Sequence, residues 1–507
     1  MKDGYITRDQ RKKILLLCDD VRMNSGIATM AREFVLGLAH RYNWVQLAGS
    51  VTHPEKGKIV DLSSAANNEC GLTDASIKLY PIDGYGNPEI LRQVMAIEKP
   101  DAILHFTDPR FWIWLYQIER EIRQVCPIAY LNIWDALPAP MYNRAYYESC
   151  DLLLSISKQT YNINRAVLGA ENCRDINGKQ LGEGKPKSTN SPILHYCPHG
   201  INPVHFKPLA TGDAKVEELR SKLFKGAKYD FVAFYNNRNI RRKQTSTLLL
   251  AWRAFCDNLQ PHERKKVALL LHTAPVDENG TDLIACKEAF CPTDNVVFST
   301  DKVDPATMNA LYNLADVTIN IADSEGFGLG TAESLMAGTP IIVTATGGLQ
   351  DQCGFRDENG KLPEFSAEWG SNHDGRYKDH GDWVTPIFPA ARMVQGSIPT
   401  PFIFAEYARW EDAAERLMHW YLTSPEDREL RGQHGRDYCL GEGGLNSENM
   451  CRTMAEGLDA MLATWKGRER FNLHRHDEYT GHHMPNGNLG FTIPTIDREN
   501  VLARKWS

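Results

Sequence analysis

The sequence predicts an α/β protein with two doubly wound halves, each a parallel sheet with helices packed on its faces. Three observations support this fold class. Short apolar runs alternate with amphipathic stretches along most of the chain, as expected for buried strands and the helices that cover them. Polar residues and glycine turns stand where apolar runs end. With 507 residues, 42% apolar and 24% charged, the chain is long enough for two or three ordinary globular domains.

The first half, residues 1–200, contains apolar runs that we interpret as strands. They cover residues 14–18, 44–48, 77–80, 102–106, 128–133 and 152–156. A helix over residues 27–40 fits between the first two strands, because apolar residues recur on one of its faces. Residues 171–192 are rich in Asn, Gly, Lys and Ser, which predicts a surface insertion.

The second half, residues 201–405, repeats the alternation. Its predicted strands cover residues 231–235, 267–272, 296–299, 317–321 and 340–344, and its predicted helices cover residues 245–258 and 305–314. We predict an irregular insertion at about residues 350–400, because no regular pattern follows the last strand. Helices are expected over residues 406–465 and a solvated tail over residues 466–507.

Charge and cysteine content narrow the functional classes. The net charge of −7 argues against a protein that binds nucleic acid through its overall field. The first apolar run, residues 14–18, is too short for a signal peptide or a membrane span, so we expect a cytoplasmic protein. Twelve cysteines without a CxxC pair indicate neither a disulfide framework nor a zinc site. The irregularly spaced histidines of the tail predict no metal site either.

The segment SEGFGLGTAESLMAGTPIIVTATGG carries the clearest functional signal. Glu325 and Glu333 stand on either side of a glycine turn between a predicted strand and a short helix. The turn is formed by Gly326, Phe327 and Gly328. Its amides and the positive end of the helix dipole suit phosphate or sugar oxygens. Because the two carboxylates can accept hydrogen bonds from hydroxyl groups, this arrangement predicts a binding site for a nucleotide sugar.

A pair of cations precedes this segment. Arg238 and Lys243 are five positions apart, after the predicted strand 231–235 and just ahead of a helix. Two positive side chains at that place would neutralise a diphosphate leaving group. Arg241 and Arg242, in the same loop, are further candidates for this role.

The segment from Glu325 to Glu333 resembles the E-x7-E box of retaining glycosyltransferases with the GT-B fold. The resemblance is to the large family four in particular, which transfers sugars from nucleotide donors. In that family the first Glu lies by the donor sugar, the turn amides bind the sugar hydroxyls, and the second Glu binds the ribose. The resemblance implies these three roles for Glu325, for Gly326 to Gly328, and for Glu333.

Two further segments resemble the same family. Its R-x4-K pattern holds the donor diphosphate, which implies that role for Arg238 and Lys243. The run from Asn24 to Ile27 resembles its glycine loop, which faces the diphosphate and implies donor contact by Gly26. The segment HGINPVHF, from His199, resembles the junction between the two domains. The resemblance therefore implies two Rossmann-like domains facing each other across a cleft, with C-terminal helices that cross back to the first domain.

The resemblance also implies the chemistry of the donor. GT-B enzymes usually act without a metal ion or a separate cofactor, so side chains and backbone amides would meet the charge on the departing phosphate. A UDP-sugar is our default donor. The expected partners are a nucleotide sugar and an acceptor molecule.

Candidate catalytic residues on the acceptor side lie in the first half and act together with Glu325. His105, in the segment PDAILHF, and Asp108 stand near the end of a predicted strand, where sites on open α/β sheets lie. Asp135 follows the next strand. Many relatives carry His-Asp there, and Trp134 takes the place of that histidine. Either carboxylate could orient or deprotonate an acceptor hydroxyl, and either could instead be a helix N-cap.

The predicted function is that of a retaining glycosyltransferase, with two alternatives. Residues 346–351, TGGLQD, resemble a box of starch and glycogen synthases, although the lysine-glycine-glycine loop of those enzymes is missing after the first strand. A non-catalytic sensor would keep the nucleotide-sugar site and lack turnover.

A second resemblance suggests the identity of the acceptor. The aromatic run DPRFWIWLYQIEREIR and the NIWD segment resemble glycosyltransferases encoded by bacteriophages. This suggests a hydroxymethylated base in viral DNA as acceptor, reached in the host cytoplasm along a local basic groove. A cell-surface glycan or a small metabolite is an equally compatible acceptor.

Overall fold

The computed structural model describes residues 4–50, 54–186, 191–363, 375–398 and 400–468, so most of the predicted tail and its histidines lie outside the described residues. Eight strands form the sheet of the first domain. They are β1 (Lys12–Asp19), β2 (Tyr42–Gly49), β3 (Val60–Asp61), β4 (Ile77–Pro81), β5 (Ala102–Phe106), β6 (Ile128–Asn132), β7 (Leu152–Ser155) and β8 (Ile193–Tyr196). Their order is β3-β4-β2-β1-β5-β6-β7-β8, and β3 runs antiparallel to β4 whereas the other pairs are parallel.

Helices connect these strands. They are α1 (Gly26–Gly37), α2 (Ser63–Cys70), α3 (Pro88–Glu98), α4 (Ile113–Gln117), α5 (Glu119–Ile122), α6 (Arg144–Glu148) and α7 (Lys158–Leu168). Short 3-10 helices lie at Pro109–Trp112, Met141–Asn143 and Ala170–Asn172. Every residue of β5 and β6 is buried, which explains why these strands are continuous apolar runs in the sequence.

The second domain has a parallel sheet of six strands. They are β9 (Phe231–Asn236), β10 (Val267–His272), β11 (Val296–Ser299), β12 (Val317–Asn320), β13 (Ile341–Thr344) and β14 (Val384–Ile387), in the order β11-β10-β9-β12-β13-β14. Its helices are α8 (Ala214–Phe224), α9 (Thr245–Asp257), α10 (Pro261–Arg264), α11 (Leu283–Phe290), α12 (Pro305–Leu314) and α13 (Leu329–Met336), with 3-10 helices at Arg241–Lys243 and Gly347–Gln352.

A hairpin and three helices complete the described chain. The hairpin pairs β15 (Ala391–Ser397) with β16 (Thr400–Tyr407), and the helices are α14 (Trp410–Leu422), α15 (Pro425–Leu440) and α16 (Ser447–Thr464).

The predicted irregular insertion at residues 350–400 is wrong in its second part. This region supplies β14, the edge strand of the second sheet, and most of the hairpin. Strand β14 pairs with β13 in parallel register, with Ile341 opposite Val384. Pro386 within the strand and the long connection that precedes it obscured the pattern, because a proline usually indicates a loop or an edge strand.

The predicted return of all C-terminal helices to the first domain is also wrong in part. Helix α14 packs on α9 and β14, and α15 packs on α13, so both belong to the second domain. The Arg428 guanidinium fixes α15 there through an ion pair of 2.9 Å with Asp316. Only α16, of these three helices, crosses back and packs against α1, β7 and β8.

The two domains share a boundary that holds them face to face. The chain crosses between them twice, and the crossings lie side by side: the Ile201 amide donates to the Leu445 carbonyl at 3.0 Å, and the Ser447 amide donates to the Ile201 carbonyl at 3.1 Å. One apolar cluster contains residues of both sheets, including Leu16 and Phe234. The carboxyl ends of the parallel strands thereby form the walls of a common cleft.

Within the part of the chain that the structure describes, no helix has the length and apolar character needed to cross a membrane.

Candidate active site between the domains

Glycines shape the turn that follows β12. Gly328 has a φ of +86°, in the left-handed region, and α13 begins at the next residue. Gly347 and Gly348 pack directly against this turn: a Cβ atom on Gly347 would lie 1.9 Å from the Glu325 carbonyl oxygen. The Gly348 amide donates to the same oxygen at 2.8 Å. The two glycine segments therefore fix each other, and a side chain at Gly347 would force them apart.

Glu325 and Lys243 form a buried ion pair beside this turn. Each side chain is about nine-tenths buried, and the ammonium contacts Oε2 of the carboxylate. Burial raises the pKa of Glu325, but Lys243 and Arg242 outweigh burial and hold that pKa below its usual value. Burial lowers the pKa of Lys243, with Glu325 opposing that effect. Glu325 is therefore an ionised carboxylate held in a dry site.

Arg242 joins this pair to the first domain. Its Nη1 donates to the Ser324 carbonyl at 2.7 Å and lies 4.0 Å from Oε1 of Glu325. The same nitrogen lies 3.3 Å from Oδ2 of Asp135, which follows β6. The turn itself approaches this loop closely, since a Cβ atom on Gly326 would lie 3.1 Å from the Ile133 carbonyl oxygen. Two cations and two carboxylates thus form one cluster across the cleft.

Glu333 occupies a separate position on α13. It accepts a hydrogen bond of 2.7 Å from the Tyr312 hydroxyl, which itself accepts one of 2.7 Å from Asn236 at the end of β9. Burial raises the pKa of Glu333 to about 7, against the lowering effect of Tyr312. Near neutral pH this carboxyl group can therefore exist in both protonation states, and its free oxygens can accept hydrogen bonds from hydroxyl groups.

The loop after β1 faces the start of α13. Ser25 caps α1 by accepting from the Ala28 amide at 3.1 Å, and its hydroxyl donates to Asp19 at 3.0 Å. A Cβ atom on Gly26 would lie 3.1 Å from Cδ1 of Leu329, the first residue of α13. The structure therefore brings Gly26 to the glycine turn across the cleft. Its contact with a donor stays a prediction.

Comparisons with known proteins show what one part of the chain is similar to. Residues 190–391 match a family described as family 4 glycosyltransferases in conflict systems. A D-inositol 3-phosphate glycosyltransferase of Pseudarthrobacter chlorophenolicus is 28% identical over 130 residues, which are 25% of this chain and 28% of that protein. The segment that matches covers less than half of the chain and is similar to family-4 glycosyltransferases. The match covers less than a third of that relative's length.

Solved structures share the fold of this chain over most of its length. Anabaena HepE in complex with UDP and glucose aligns with a TM-score of 0.58 at 12% identity, covering 89% of this chain and 100% of HepE. Sucrose-phosphate synthase from Thermosynechococcus elongatus aligns with a TM-score of 0.59 at 16% identity, over 89% and 100% of the two chains. α,α-Trehalose 6-phosphate synthase from Burkholderia multivorans aligns with a TM-score of 0.57 at 11% identity, covering 89% of this chain and 99% of the synthase. The predicted GT-B fold is confirmed.

The structure separates the two cations that were predicted as a pair. Arg238 forms a bidentate ion pair with Asp277, at 2.8 and 3.2 Å, and its side chain is 62% exposed. Arg242, in the 3-10 helix next to Lys243, stands in the cluster instead, and Arg241 is exposed. Lys243 of the R-x4-K pattern lies beside Glu325, and the tight 3-10 turn brings Arg242 instead of Arg238 to the same carboxylate. Contact of Arg238 and Lys243 with a donor diphosphate stays a prediction.

His105 does not reach the cleft. It is completely buried, its Nδ1 lies 2.7 Å from the Tyr116 hydroxyl, and its Nε2 lies 2.9 Å from the Thr107 hydroxyl. Its ring stacks on Tyr130 at 5.0 Å. Burial lowers the pKa of His105 to about 3, so the imidazole is neutral. The structure therefore contradicts the predicted catalytic use of His105: both ring nitrogens are engaged in the core.

Asp108 serves as an N-cap. Its Oδ1 accepts from the Arg110 amide at 2.9 Å and from Arg110 Nε at 2.8 Å. The Arg110 guanidinium lies over the Trp134 ring, 5.5 Å from its centroid, and donates to the Thr400 hydroxyl of the hairpin. This is the alternative that the sequence left open for Asp108. Of the two first-domain carboxylates, Asp135 is the one that faces the second domain.

The hairpin is a part of the site that the sequence did not predict. It extends from the second domain and packs on the loop after β6: the Phe404 amide donates to the Leu137 carbonyl at 2.5 Å, and the Tyr142 hydroxyl donates to the Phe402 carbonyl at 2.8 Å. At its base the Thr346 hydroxyl donates to Glu406 at 2.7 Å. The short apolar run PFIFA, rich in aromatic residues, was the available signal.

His199 also lies in the site, although the sequence predicted no role for it there. Its ring lies between Phe106 at the end of β5, at 5.6 Å, and Phe327 of the glycine turn, at 5.4 Å. Burial lowers the pKa of His199 to about 3. The HGINPVHF segment predicted a junction between the two domains. The structure adds that the histidine of this segment packs between the two walls of the cleft.

Among the described residues there is no group of three or more His, Cys, Asp or Glu side chains that could hold a metal ion.

Proposed function

We propose that this glycosyltransferase moves a sugar from a nucleoside diphosphate sugar to an acceptor hydroxyl group. The observation that carries the proposal is the cluster of Lys243, Arg242 and Glu325 beside the glycine turn, facing Asp135 of the first domain. Cations and backbone amides suit a diphosphate, and a carboxylate suits sugar hydroxyls. The first-domain carboxylate places an acceptor-side group within reach of the same cleft.

The donor is proposed to span the second domain. Lys243 and Arg242 meet the diphosphate together with the amides at the start of α13, Glu325 accepts hydrogen bonds from the sugar, and Glu333 accepts them from the ribose. The solved structure of HepE contains UDP and glucose, which supports UDP-glucose as the first donor to test. Glu333 lies on the helix that starts at the turn, about one helical turn after its first residue.

The reaction is proposed to proceed without a change of oxidation state. The bond between the anomeric carbon and the β-phosphate oxygen breaks, a bond from that carbon to the acceptor oxygen forms, and the acceptor hydroxyl passes its proton to the departing diphosphate. Arg242 and Lys243 stabilise the negative charge that develops on the departing diphosphate. We propose that Asp135 orients the acceptor hydroxyl and that the anomeric configuration is retained, as in the family that the E-x7-E box resembles.

The acceptor is proposed to be a hydroxymethylated base in duplex DNA. The matched family is described as belonging to conflict systems, which supports starting with a nucleic acid acceptor. The net charge of −7 means that duplex binding would depend on a local groove, so it should weaken steeply as salt increases. A cell-surface glycan and a small polyol phosphate are the comparison acceptors.

The proposal is tested by measuring nucleotide release from UDP-, GDP- and ADP-sugars, with and without each acceptor. We expect one nucleotide sugar to give acceptor-dependent release that is insensitive to chelator. The Glu325→Gln variant keeps the size of the side chain and removes its charge, so release should fall at least about a hundredfold. NMR of the product at the anomeric carbon reports whether configuration is retained.

Two outcomes would contradict the proposal. Tight binding of a nucleotide sugar without release, with every acceptor, would favour a non-catalytic sensor. Full release by Glu325→Gln would show that the reaction takes place away from the described cluster.

A further inference from the structure

Arg242 is shared by carboxylates of both domains. Its guanidinium lies 3.3 Å from Asp135 of the first domain and 4.0 Å from Glu325 of the second, while the Ser324 carbonyl accepts one of its N–H groups. Lys243, its neighbour, is committed to Glu325 in a buried pair. Arg242 is thus the charged link that joins the acceptor-side carboxylate to the donor-side cluster.

The link is positioned where a ligand in the cleft can reach it. The Arg242 side chain is 38% exposed and that of Asp135 is 27% exposed, in contrast to the Lys243 and Glu325 side chains at 8% and 10%. An ion pair with this exposure is held weakly, because water screens it. A guanidinium prefers the bidentate geometry that a phosphate offers, and a diphosphate carries more charge than a carboxylate.

We propose that Asp135 and the donor diphosphate compete for Arg242, so that donor binding releases Asp135 to the acceptor. This inference rests on the proposed function. In the unliganded protein Arg242 engages Asp135 and keeps the carboxylate from an acceptor hydroxyl. When the donor binds, Arg242 turns to the diphosphate and Asp135 becomes free to accept a hydrogen bond from the acceptor. The two substrates therefore bind in order, with the donor first.

The inference predicts an unusual result for a substitution at the cleft. Asp135→Asn removes the competitor for Arg242 and should therefore tighten the binding of UDP, by about threefold to tenfold. Arg242→Gln should weaken UDP binding. In the double variant the Asp135→Asn substitution should have no further effect on UDP binding, because the residue through which it acts is gone.

The experiment is a double-mutant cycle on the full chain with UDP as the probe, measured by calorimetry at one salt concentration. Arg241→Gln is the matched control: it removes the same group from the adjacent, exposed position and should leave the dissociation constant within twofold of wild type. Arg242→Lys keeps a point charge without the planar fork and should retain part of the coupling, which also provides a variant if Arg242→Gln does not fold.

The outcomes separate this inference from the function on which it rests. Tighter UDP binding by Asp135→Asn only when Arg242 is present supports the competition. Wild-type binding of UDP with unchanged or weaker binding by Asp135→Asn overturns the competition and leaves the proposed function intact. A wild-type protein that binds no nucleoside diphosphate overturns the proposed function itself.

Discussion

The second-domain wall of the cleft is the proposed donor wall, and the first-domain wall is the proposed acceptor wall. Both are built from the same kind of sheet edge, yet their polar residues make different contacts. On the donor wall, Lys243 and Glu325 come together as a buried pair within a charged cluster. On the acceptor wall, His105 and Asp108 instead form hydrogen bonds with other residues of the first domain. The comparison teaches that the end of a strand fixes where a residue lies but not which way its side chain points.

Backbone geometry explains the difference. His105 belongs to a strand, where side chains alternate between the two faces of the sheet. Its ring contacts Tyr116 and stacks on Tyr130 of the neighbouring strand. Lys243 and Glu325 lie after their strands, in a 3-10 turn and a glycine turn whose backbone can aim them at the cleft. Loops that follow parallel strands therefore supply the proposed donor-site residues, and the strands form the core.

The largest expected effect contrasts two cations of the donor wall. Lys243→Met should lower turnover at least about a hundredfold, because it removes a cation from the diphosphate site. It should also reduce the free energy of unfolding by about 3–5 kcal/mol, since the buried Glu325 carboxylate loses its direct partner and keeps only Arg242 at 4.0 Å. Arg238→Met removes only a screened surface pair and should change turnover less than about threefold. Initial rates and urea unfolding measure both quantities.

The result for Arg238→Met can contradict the expected contrast between Lys243 and Arg238. If Arg238→Met lost as much turnover as Lys243→Met while folding normally, Arg238 would leave Asp277 on donor binding and return to the role that the R-x4-K pattern implies. A double Lys243→Met and Glu325→Gln variant separates stability from catalysis, because it removes the buried charge that lost its lysine partner but restores no activity.

A smaller effect concerns Glu333 and pH. Burial raises its pKa to about 7. If Glu333 accepts hydrogen bonds from the donor ribose, its ionised form binds better, so UDP affinity should fall about fivefold to tenfold between pH 8 and pH 6. Glu333→Gln should bind UDP less tightly at pH 8 and show a flatter profile. Equal pH profiles for the two proteins would place Glu333 outside the ribose site.

Protonation of Glu333 should weaken UDP binding, but it should stabilise the fold. Its folded-state pKa of about 7 exceeds the ordinary value of 4.5, so the folded protein holds the proton more tightly than the unfolded chain does. The stabilisation is present below pH 4.5 and is lost as pH rises to about 7. Relative to Glu333→Gln, the wild-type free energy of unfolding should therefore decrease over this window, by up to about 3 kcal/mol.

The smallest effect on activity is expected at His105. His105→Phe leaves the Tyr116 and Thr107 hydroxyls without their partner in the core, which should lower the free energy of unfolding by about 2–4 kcal/mol. Turnover of the folded variant should stay within about twofold of wild type. A tenfold loss in protein shown to be folded by circular dichroism would restore His105 to the acceptor site and weaken the contrast between the walls.

Much of the fold could be predicted because its signals are local. The helix Pro305–Leu314 and the strands Ala102–Phe106, Val267–His272 and Val296–Ser299 have the predicted bounds. Strand β14 and the hairpin were missed, because their pattern is interrupted by a proline and because the hairpin's contacts are made with a loop more than two hundred residues away. Helices α14 and α15 were assigned to the wrong domain for the same reason, since packing partners are not encoded in periodicity.

The sequence by itself determined the two parallel sheets, the glycine turn and the carboxylates at positions 325 and 333. These follow from short-range patterns of burial, turn chemistry and spacing. The tertiary structure alone decided that Arg242 and not Arg238 stands beside Glu325, that His105 faces the core, and that Asp135 meets the second domain. The physical reason is that an ion pair or a buried hydrogen bond depends on the orientation of two distant segments, which no local pattern specifies.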